Sequence, residues 1–310
     1  MAPEGRDGHG PAMAHTAPAS DEQAAASRAP PVRQFFSVPA PIKRIFDQFP
    51  LTTYPPNDVP RRLPSVPDGN RLFVFIDAAG AKHGRPSFNP QCLKWQAYLK
   101  FVGIDFQLVP SNNHASPTGA LPYLLPALPA GALTPIPSNK LQKWAIEQVH
   151  CEEEQQMSVR WDVYASLLDH RIRNAWLYTL YLDNDNFTAV ARRLYIDPST
   201  SSPLVRAALA SQLQQAARAE LLKYSPAYID VADLEAEADN AFASLSTLLG
   251  DDVYFFDRAH PGLFDASVFA YTHLILDEAG MGWKRNPLAR RLRQYGNLVR
   301  HRDRLLEKFF

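Results

Sequence analysis

Cysteine is scarce in this chain. Only Cys92 and Cys151 occur among 310 residues, far apart and without a CxxC spacing. That excludes a disulfide scaffold and fits a reducing compartment. Net charge is missing as well, because 32 basic residues balance 32 acidic ones; bulk electrostatics therefore gives no pull toward nucleic acid. The apolar stretch Leu121 to Leu133 is broken by three prolines and falls short of the roughly 20 residues a membrane-spanning helix needs. We expect a chain that neither spans a bilayer nor carries a secretory signal. No P-loop, dinucleotide fingerprint, zinc spacing or GxSxG element is present. Asp183-Asn184-Asp185-Asn186-Phe187 begins like a calcium loop but lacks the glycine and glutamate that would complete it, so it reads as a helix-linking turn. His150 to Glu154 holds ligand-type residues, but adjacent helical positions point different ways and cannot converge on one metal. No cofactor is implied.

Hydrophobic residues make up 46% of the chain, enough to bury a core in one large or two modest domains. Residues 1–33 are rich in alanine and proline without a hydrophobic period and read as a disordered tail. Glu4, Asp7, Asp21 and Glu22 offset Arg6, Arg28 and Arg33, unlike a basic mitochondrial presequence. Residues 34–68 keep the prolines but add Phe35, Phe36, Ile45, Phe46 and Phe49. So many large apolar groups point to an extended arm laid over the chain's own domain or over a partner.

From residue 69 the periods are regular. Arg71 to Ile76 is a continuous apolar run, as in a strand covered on both faces. A polar loop, 77–85, leads to a helix with Ser87 or Asn89 as its cap, Pro90 in its first turn and Gly103 at its end. Cys92, Trp95, Leu99 and Val102 form one buried stripe. Ile104, Phe106 and Leu108 alternate with polar residues as a second strand. Gly119 to Pro126 then carries a proline where a third strand begins, and proline belongs at a strand's first residue because it donates nothing to the ladder. Strand-entry proline after a βαβ unit is the mark of a thioredoxin-like fold with a cis bond, which puts the cis peptide at Leu121–Pro122. A turn near Gly131 and a fourth strand at 133–136 close a βαββ sheet over 69–137.

From Ser138 the chain reads as all helix, with Ser138 as the first cap. The expected helices are 153–182, 187–195, 203–224, 231–249, 264–276 and 290–308, with Pro198, Pro203, Pro226, Pro261 and Pro287 at their boundaries. The fold class is α+β: a small thioredoxin-like half followed by an all-helical half over 138–310, the glutathione transferase architecture. An enzyme of that fold needs a thiol activator at the first helix and a side chain before the next helix to grip the ligand. Ser87 is the one candidate activator and reads more simply as a cap. Pro137-Ser138 stands where the grip belongs, and proline offers neither a side-chain hydrogen bond nor a main-chain donor. Asn89-Pro90-Gln91-Cys92 has the spacing of a CPxC redox motif with asparagine in the first place, and the stripe around Cys92 makes it a buried, inert thiol.

Charge is segregated despite the zero sum. Asp230, Asp233, Glu235, Glu237 and Asp239 form an acidic segment, and Lys284, Arg285, Arg290, Arg293, Arg300 and Arg304 belong to a basic C-terminal one. Each reads as a solvated helix face; the basic one reads alternatively as a patch for anionic lipid or an acidic partner.

Three stretches carry a family resemblance. Ser87 to Phe101 (SFNPQCLKWQAYLKF) resembles the first helix of metaxins, Gly119 to Leu124 resembles their strand with the cis-proline, and Tyr295 to Arg300 (YGNLVR) is similar to their final helix. Pro261 to Ala266 is similar to the capping element that starts a core helix across the transferase superfamily, with Asp265 at N3 and Gly262 where serine or threonine is usual. The resemblance implies a non-enzymatic subunit, the smaller peripheral one of fungal type, of the mitochondrial sorting and assembly machinery. It implies a place on the cytosolic face of the outer membrane, a BamA-like β-barrel subunit and a larger metaxin-like subunit as partners, and a part in receiving the sorting signals of β-barrel precursors. The competing classes are a glutathione-dependent transferase or redox enzyme and a soluble interaction module.

Overall fold

The computed structural model of this protein describes residues 69–127, 134–149, 158–223 and 228–310. The tail, the arm with Phe35, Phe36, Ile45, Phe46 and Phe49, the Gly131 turn and the His150–Glu154 cluster lie outside these residues.

Strands β1 (Asn70–Val74), β2 (Phe106–Pro110), β3 (Tyr123–Leu125) and β4 (Ile136–Pro137) form one mixed sheet in the order β2-β1-β3-β4. β1 and β2 run parallel with Leu72 opposite Leu108; β1 and β3, and β3 and β4, run antiparallel. This is the expected βαββ order. Two details differ. β1 is not covered on both faces: Leu72 and Val74 are buried while Arg71 and Phe73 are half-buried, so the run of apolar letters conceals an ordinary alternation. β4 is two residues long, because Pro135 brings no donor to the ladder and pairing begins only at Ile136.

Between β1 and β2 the chain makes two helices. The segment expected as a polar loop contains α1 (Ala78–Lys82), started by Asp77, whose carboxylate accepts from the Gly80 N–H. α2 (Pro90–Phe101) is capped by Asn89, whose Oδ1 accepts from the Cys92 N–H at 3.1 Å. It ends in a Schellman turn: Gly103 takes φ +77°, its N–H reaches the Lys100 carbonyl and the Ile104 N–H reaches that of Leu99.

Beyond β4, Ser138 does not cap a helix. Pro137 occupies the cap position without a side-chain bond, and Ser138–Lys140 is a 3-10 turn leading into α3 (Leu141–Val149). The long helix α4 covers 158–182 and widens into i to i+5 turns at Leu167–Ile172 and Tyr178–Leu182. The next helix, α5 over 184–196, is capped by Asp183. α6 (Pro203–Leu222), α7 (Val231–Leu249), α8 (Leu263–Leu276) and the short α9 (Glu278–Met281) follow. The stretch 290–308 is two helices, α10 (Pro287–Leu292) and α11 (Gly296–Phe309). The break has a cause in neighbouring α7. Tyr295 Oη donates to Asp239 at 2.9 Å, and Asn297 Nδ2 donates to the carbonyls of Ser246 at 2.8 Å and Gly250 at 3.0 Å. Asn297 thus takes the Gly250 carbonyl just past the end of α7 and adds a second donor to the Ser246 carbonyl, which already accepts from the Gly250 N–H.

α8 is buried on nearly all sides and packs against α2, joining the sheet half to the helical half. Its first turn holds Asp265, only 1% exposed. Oδ2 accepts from the Gly262 N–H at 2.9 Å; Oδ1 accepts from the Phe255 N–H at 3.0 Å and meets His301 Nε2 at 2.8 Å. Glycine at Gly262 has no side chain to return a bond, so the box is half made and His301 of α11 completes the cluster.

Asn186 is a second buried clamp. With no exposed surface, it donates to the carbonyls of Thr179 and Arg285 and accepts from the N–H groups of Lys284 and Arg285. Replacing Asn186 by alanine leaves four main-chain groups without their partner. The expected outcome is a loss of about 2–4 kcal/mol, read as a lowered urea midpoint at pH 7.

Candidate functional site

The place to look for chemistry is the end of β1 and the start of α2, where this kind of sheet presents its helix N-terminus. Ser87 sits there with no exposed surface. Its hydroxyl donates to the Phe75 carbonyl at 2.6 Å, and its N–H donates to Gln96 Oε1 at 2.8 Å. Gln96 in turn donates to the Arg85 carbonyl at 2.8 Å. Ser87 is thus neither the cap, which is Asn89, nor a free hydroxyl, but a strut tying β1 to α2. Cys92 is fully buried, and burial pushes its thiol up to about 12, outweighing the lowering by hydrogen bonds from the Phe75 main chain and the Ser87 side chain.

The space above the helix start is filled by α5. Tyr195 Oη donates to the Phe88 carbonyl at 3.1 Å and accepts from Asn89 Nδ2 at 3.4 Å. Its ring stands edge-on to Phe75 at 5.1 Å and to Phe88 at 5.3 Å. Burial, then neighbouring Tyr181, raises its phenol well above the ordinary tyrosine range, so it holds its proton at neutral pH. Sequence reasoning missed Tyr195, since it is one more residue of an expected helix and its partners lie about a hundred residues upstream.

The Leu121–Pro122 bond is cis. Pro122 is buried, and the Leu121 N–H ahead of it donates to Asn113 Oδ1 at 3.0 Å. Pro137 offers that side of the sheet no side-chain bond. What stays open is a cleft of about 440 Å3 outside the C-terminal ends of β1 and β2, bordered by Phe75, Asp77, Ser111, Tyr195 and Pro198. A smaller cavity of about 140 Å3 next to it is lined by Arg85, Arg193, His273 and Asp277. Arg193 is engaged with the Gly280 and Met281 carbonyls. His273 stacks on Phe269 at 5.3 Å, and burial followed by the Arg302 charge pushes its imidazole down to about 4, against the opposing pull of Asp277 and Asp303.

The charged segments separate on inspection. Glu235 and Asp239 both meet Arg291, at 3.0 and 3.4 Å, and Glu237 pairs with Arg171. Asp230 caps α7 through the Ala232 and Asp233 N–H groups. The acidic segment is therefore largely a set of ion pairs between helices rather than a solvated face. Among the basic residues, Arg293 pairs with Glu278 at 2.9 Å, Arg285 reaches Asp183 at 3.6 Å, and Arg304 donates to the Val253 carbonyl at 2.7 Å. Lys284, Arg290 and Arg300 are exposed, and their side chains have no hydrogen-bonding or ionic partner among the described residues. Among the described residues no group of histidine, cysteine or acidic side chains is arranged to hold a metal, and no helix is long and apolar enough to cross a membrane.

Comparison with known proteins agrees with this geometry. The family model for the glutathione S-transferase N-terminal domain matches residues 90–186, and that for the glutathione S-transferase C-terminal domain matches 238–305. A third model, described as SAM35, subunit of the SAM complex, matches 36–89. The chain is 29% identical over 243 residues to Metaxin-3 of Xenopus laevis, covering 74% of this chain and 75% of that protein. It is 27% identical over 234 residues to Metaxin-1 of Macaca fascicularis, covering 73% and 72%. Among solved structures, a glutathione S-transferase of Ceriporiopsis subvermispora in complex with glutathione superposes at a TM-score of 0.51 and 11% identity, over 77% of this chain and 97% of that one. That similarity concerns the fold alone.

Two outcomes are expected. In a Cys151→Ser background, Cys92 should react with Ellman's reagent at pH 8 about a thousand-fold more slowly than an ordinary thiol, and at the ordinary rate once unfolded in urea. His273 gives a pH dependence. Its folded value lies below its unfolded one, so between about 6.5 and 4 the unfolded chain binds the extra proton and stability is lost as pH falls. The loss is about 2–3 kcal/mol; urea midpoints at pH 7 and 4.5 should draw closer together in His273→Phe than in the native chain.

Proposed function

We propose that this chain, a member of the metaxin family, is a non-enzymatic subunit of the mitochondrial outer-membrane sorting and assembly machinery that works peripherally from the cytosolic face. In this reading it docks on a BamA-like β-barrel subunit beside a larger metaxin-like subunit and supports recognition and insertion of β-barrel precursors. The observation that carries it is the match of 36–89 to a sorting-complex subunit, joined to a transferase-like body whose thiol site is filled by its own side chains. Ser87 is spent on Phe75, Cys92 is buried, and Tyr195 occupies the helix start. A ligand thiol entering there would have to displace Tyr195 from Phe88 and Asn89.

The domain plan follows the same reading: a tail over 1–33, an arm over 34–68 whose Phe35, Phe36, Ile45, Phe46 and Phe49 meet a partner or the membrane, a thioredoxin-like domain over 69–137 and a helical domain over 138–310. Pro122 is a structural residue of the sheet half, not part of a binding site. Lys284, Arg290 and Arg300, with exposed and unengaged charges, are the basic residues most suited to an acidic partner or anionic headgroups; Arg285, Arg293 and Arg304 contribute behind them.

Affinity purification of the tagged full chain from detergent-solubilised mitochondria is the test. A β-barrel protein and a second metaxin-like chain should co-purify, and joint reversal of Lys284, Arg290 and Arg300 to glutamate should weaken their recovery with little change in melting temperature. Retention on immobilised glutathione, with conjugating activity that Ser87→Ala abolishes, would overturn the proposal.

A further inference from the structure

β2 is the edge of the sheet, and among the described residues no strand lies beyond it. Its register decides what that edge offers. The Ser111 N–H donates to the Val74 carbonyl at 3.0 Å, and Val74 stands opposite Pro110. In a parallel ladder this turns the main-chain groups of Gln107 and Val109 toward β1 and those of Phe106, Leu108 and Pro110 outward. Phe106 and Leu108 each present an N–H and a C=O; Pro110 presents a carbonyl alone and ends the donor row.

The same three residues put their side chains on the face of the sheet that carries Leu72 and Val74, because partners across a ladder share a face. Beside them runs a groove of about 580 Å3, with Ala78, Ala81 and Lys82 of α1 along one side and Lys100 at its end. The two cations differ. Lys100 Nζ is committed to the Phe309 carbonyl at 2.6 Å and lies over the Phe310 ring at 4.3 Å. Lys82, in the last turn of α1, is exposed and its ammonium has no partner among the described residues.

We propose that the β2 edge is a docking site for an extended segment of a partner protein, which adds as a fifth strand through the main chain of Phe106 and Leu108, rests its apolar side chains against Ala78 and Ala81, and places a carboxylate on Lys82. The outward main-chain groups require an extended occupant, the groove beside them offers Ala78 and Ala81 as apolar footing, and its one uncommitted charge among the described residues is positive. These features select an acidic strand rather than a helix or a basic peptide. The inference stands on the sheet and does not depend on the membrane assignment.

The test uses the full chain and synthetic ten-residue peptides of alternating valine and threonine, with one glutamate moved through each position. A peptide with its glutamate in register should bind, measured by fluorescence anisotropy, and should slow amide exchange at Phe106 and Leu108 but not at Gln107 and Val109, whose N–H groups already face β1. N-methylation of alternate peptide nitrogens on the bonding edge should weaken binding at least about tenfold, and Lys82→Glu should weaken the glutamate peptide about fivefold while leaving a lysine-substituted peptide no worse. Lys82 is exposed, so that variant folds. Binding indifferent to N-methylation, unchanged exchange at Phe106 and Leu108, or absence of binding at millimolar peptide would overturn the proposal. So would a concentration-dependent dimer dissociated by Lys82→Glu, which would assign the edge to a second copy of the chain.

Discussion

The buried carboxylate of Asp265 is the constraint on which the helical half is assembled. A charge at 1% exposure is tolerated only when its lone pairs are taken, and here three partners from three places take them: the Gly262 N–H at the start of α8, the Phe255 N–H from the preceding loop, and His301 from α11. The carboxylate also lies in the first turn of α8, where the helix dipole favours negative charge. Because α8 packs on α2, fixing its start fixes the floor on which the sheet half rests. The turn before it takes left-handed backbone at Phe256 and Asp257, with φ of +63° and +53°, a conformation uncommon for a side chain as bulky as Phe256 but more readily adopted by aspartate. The hydrogen bond from Phe255 to Asp265 closes that turn.

The second organising fact is that the start of α2 is covered from within by Tyr195. At the start of α2 lie a serine, a cysteine and an aromatic wall, and the cis-proline opens β3 nearby. Ser87 spends its hydroxyl on a strand carbonyl, Cys92 lies in the apolar stripe, and Tyr195 closes the top with two hydrogen bonds and two aromatic edges. Besides the cleft beside Tyr195, the surfaces left open are the edge of β2 and the exposed cations of the C-terminal helices.

Charge follows the same division. The acidic run on α7 is joined to Arg291 and Arg171, so residues that look like a solvated face act as ties between helices. Ion pairs of this partly exposed kind are each worth little, but together with the Tyr295 and Asn297 bonds they set α10 and α11 against α7. The basic run is divided between residues that serve the fold and residues that do not, and Asn186 holds the main chain of Lys284 and Arg285 in place beneath two of them.

The sequence alone determined what depends on local chemistry. The Pro90 first turn, the Gly103 stop and the strand–helix–strand–strand order each rest on neighbours a few residues apart, and local sequence stated them. The residues Tyr295 and Asn297, picked out as a family pattern, have physical roles in holding α7. Tertiary structure decided what depends on partners far along the chain. That Ser87 is a strut rather than a cap is settled by Gln96 and Phe75, and that 290–308 is two helices is settled by Asp239, Ser246 and Gly250. Tyr195 covers the start of α2 because folding brings it to Phe88. No period or spacing encodes these outcomes, since each is a hydrogen bond or a ring contact between segments whose meeting only the packed core brings about.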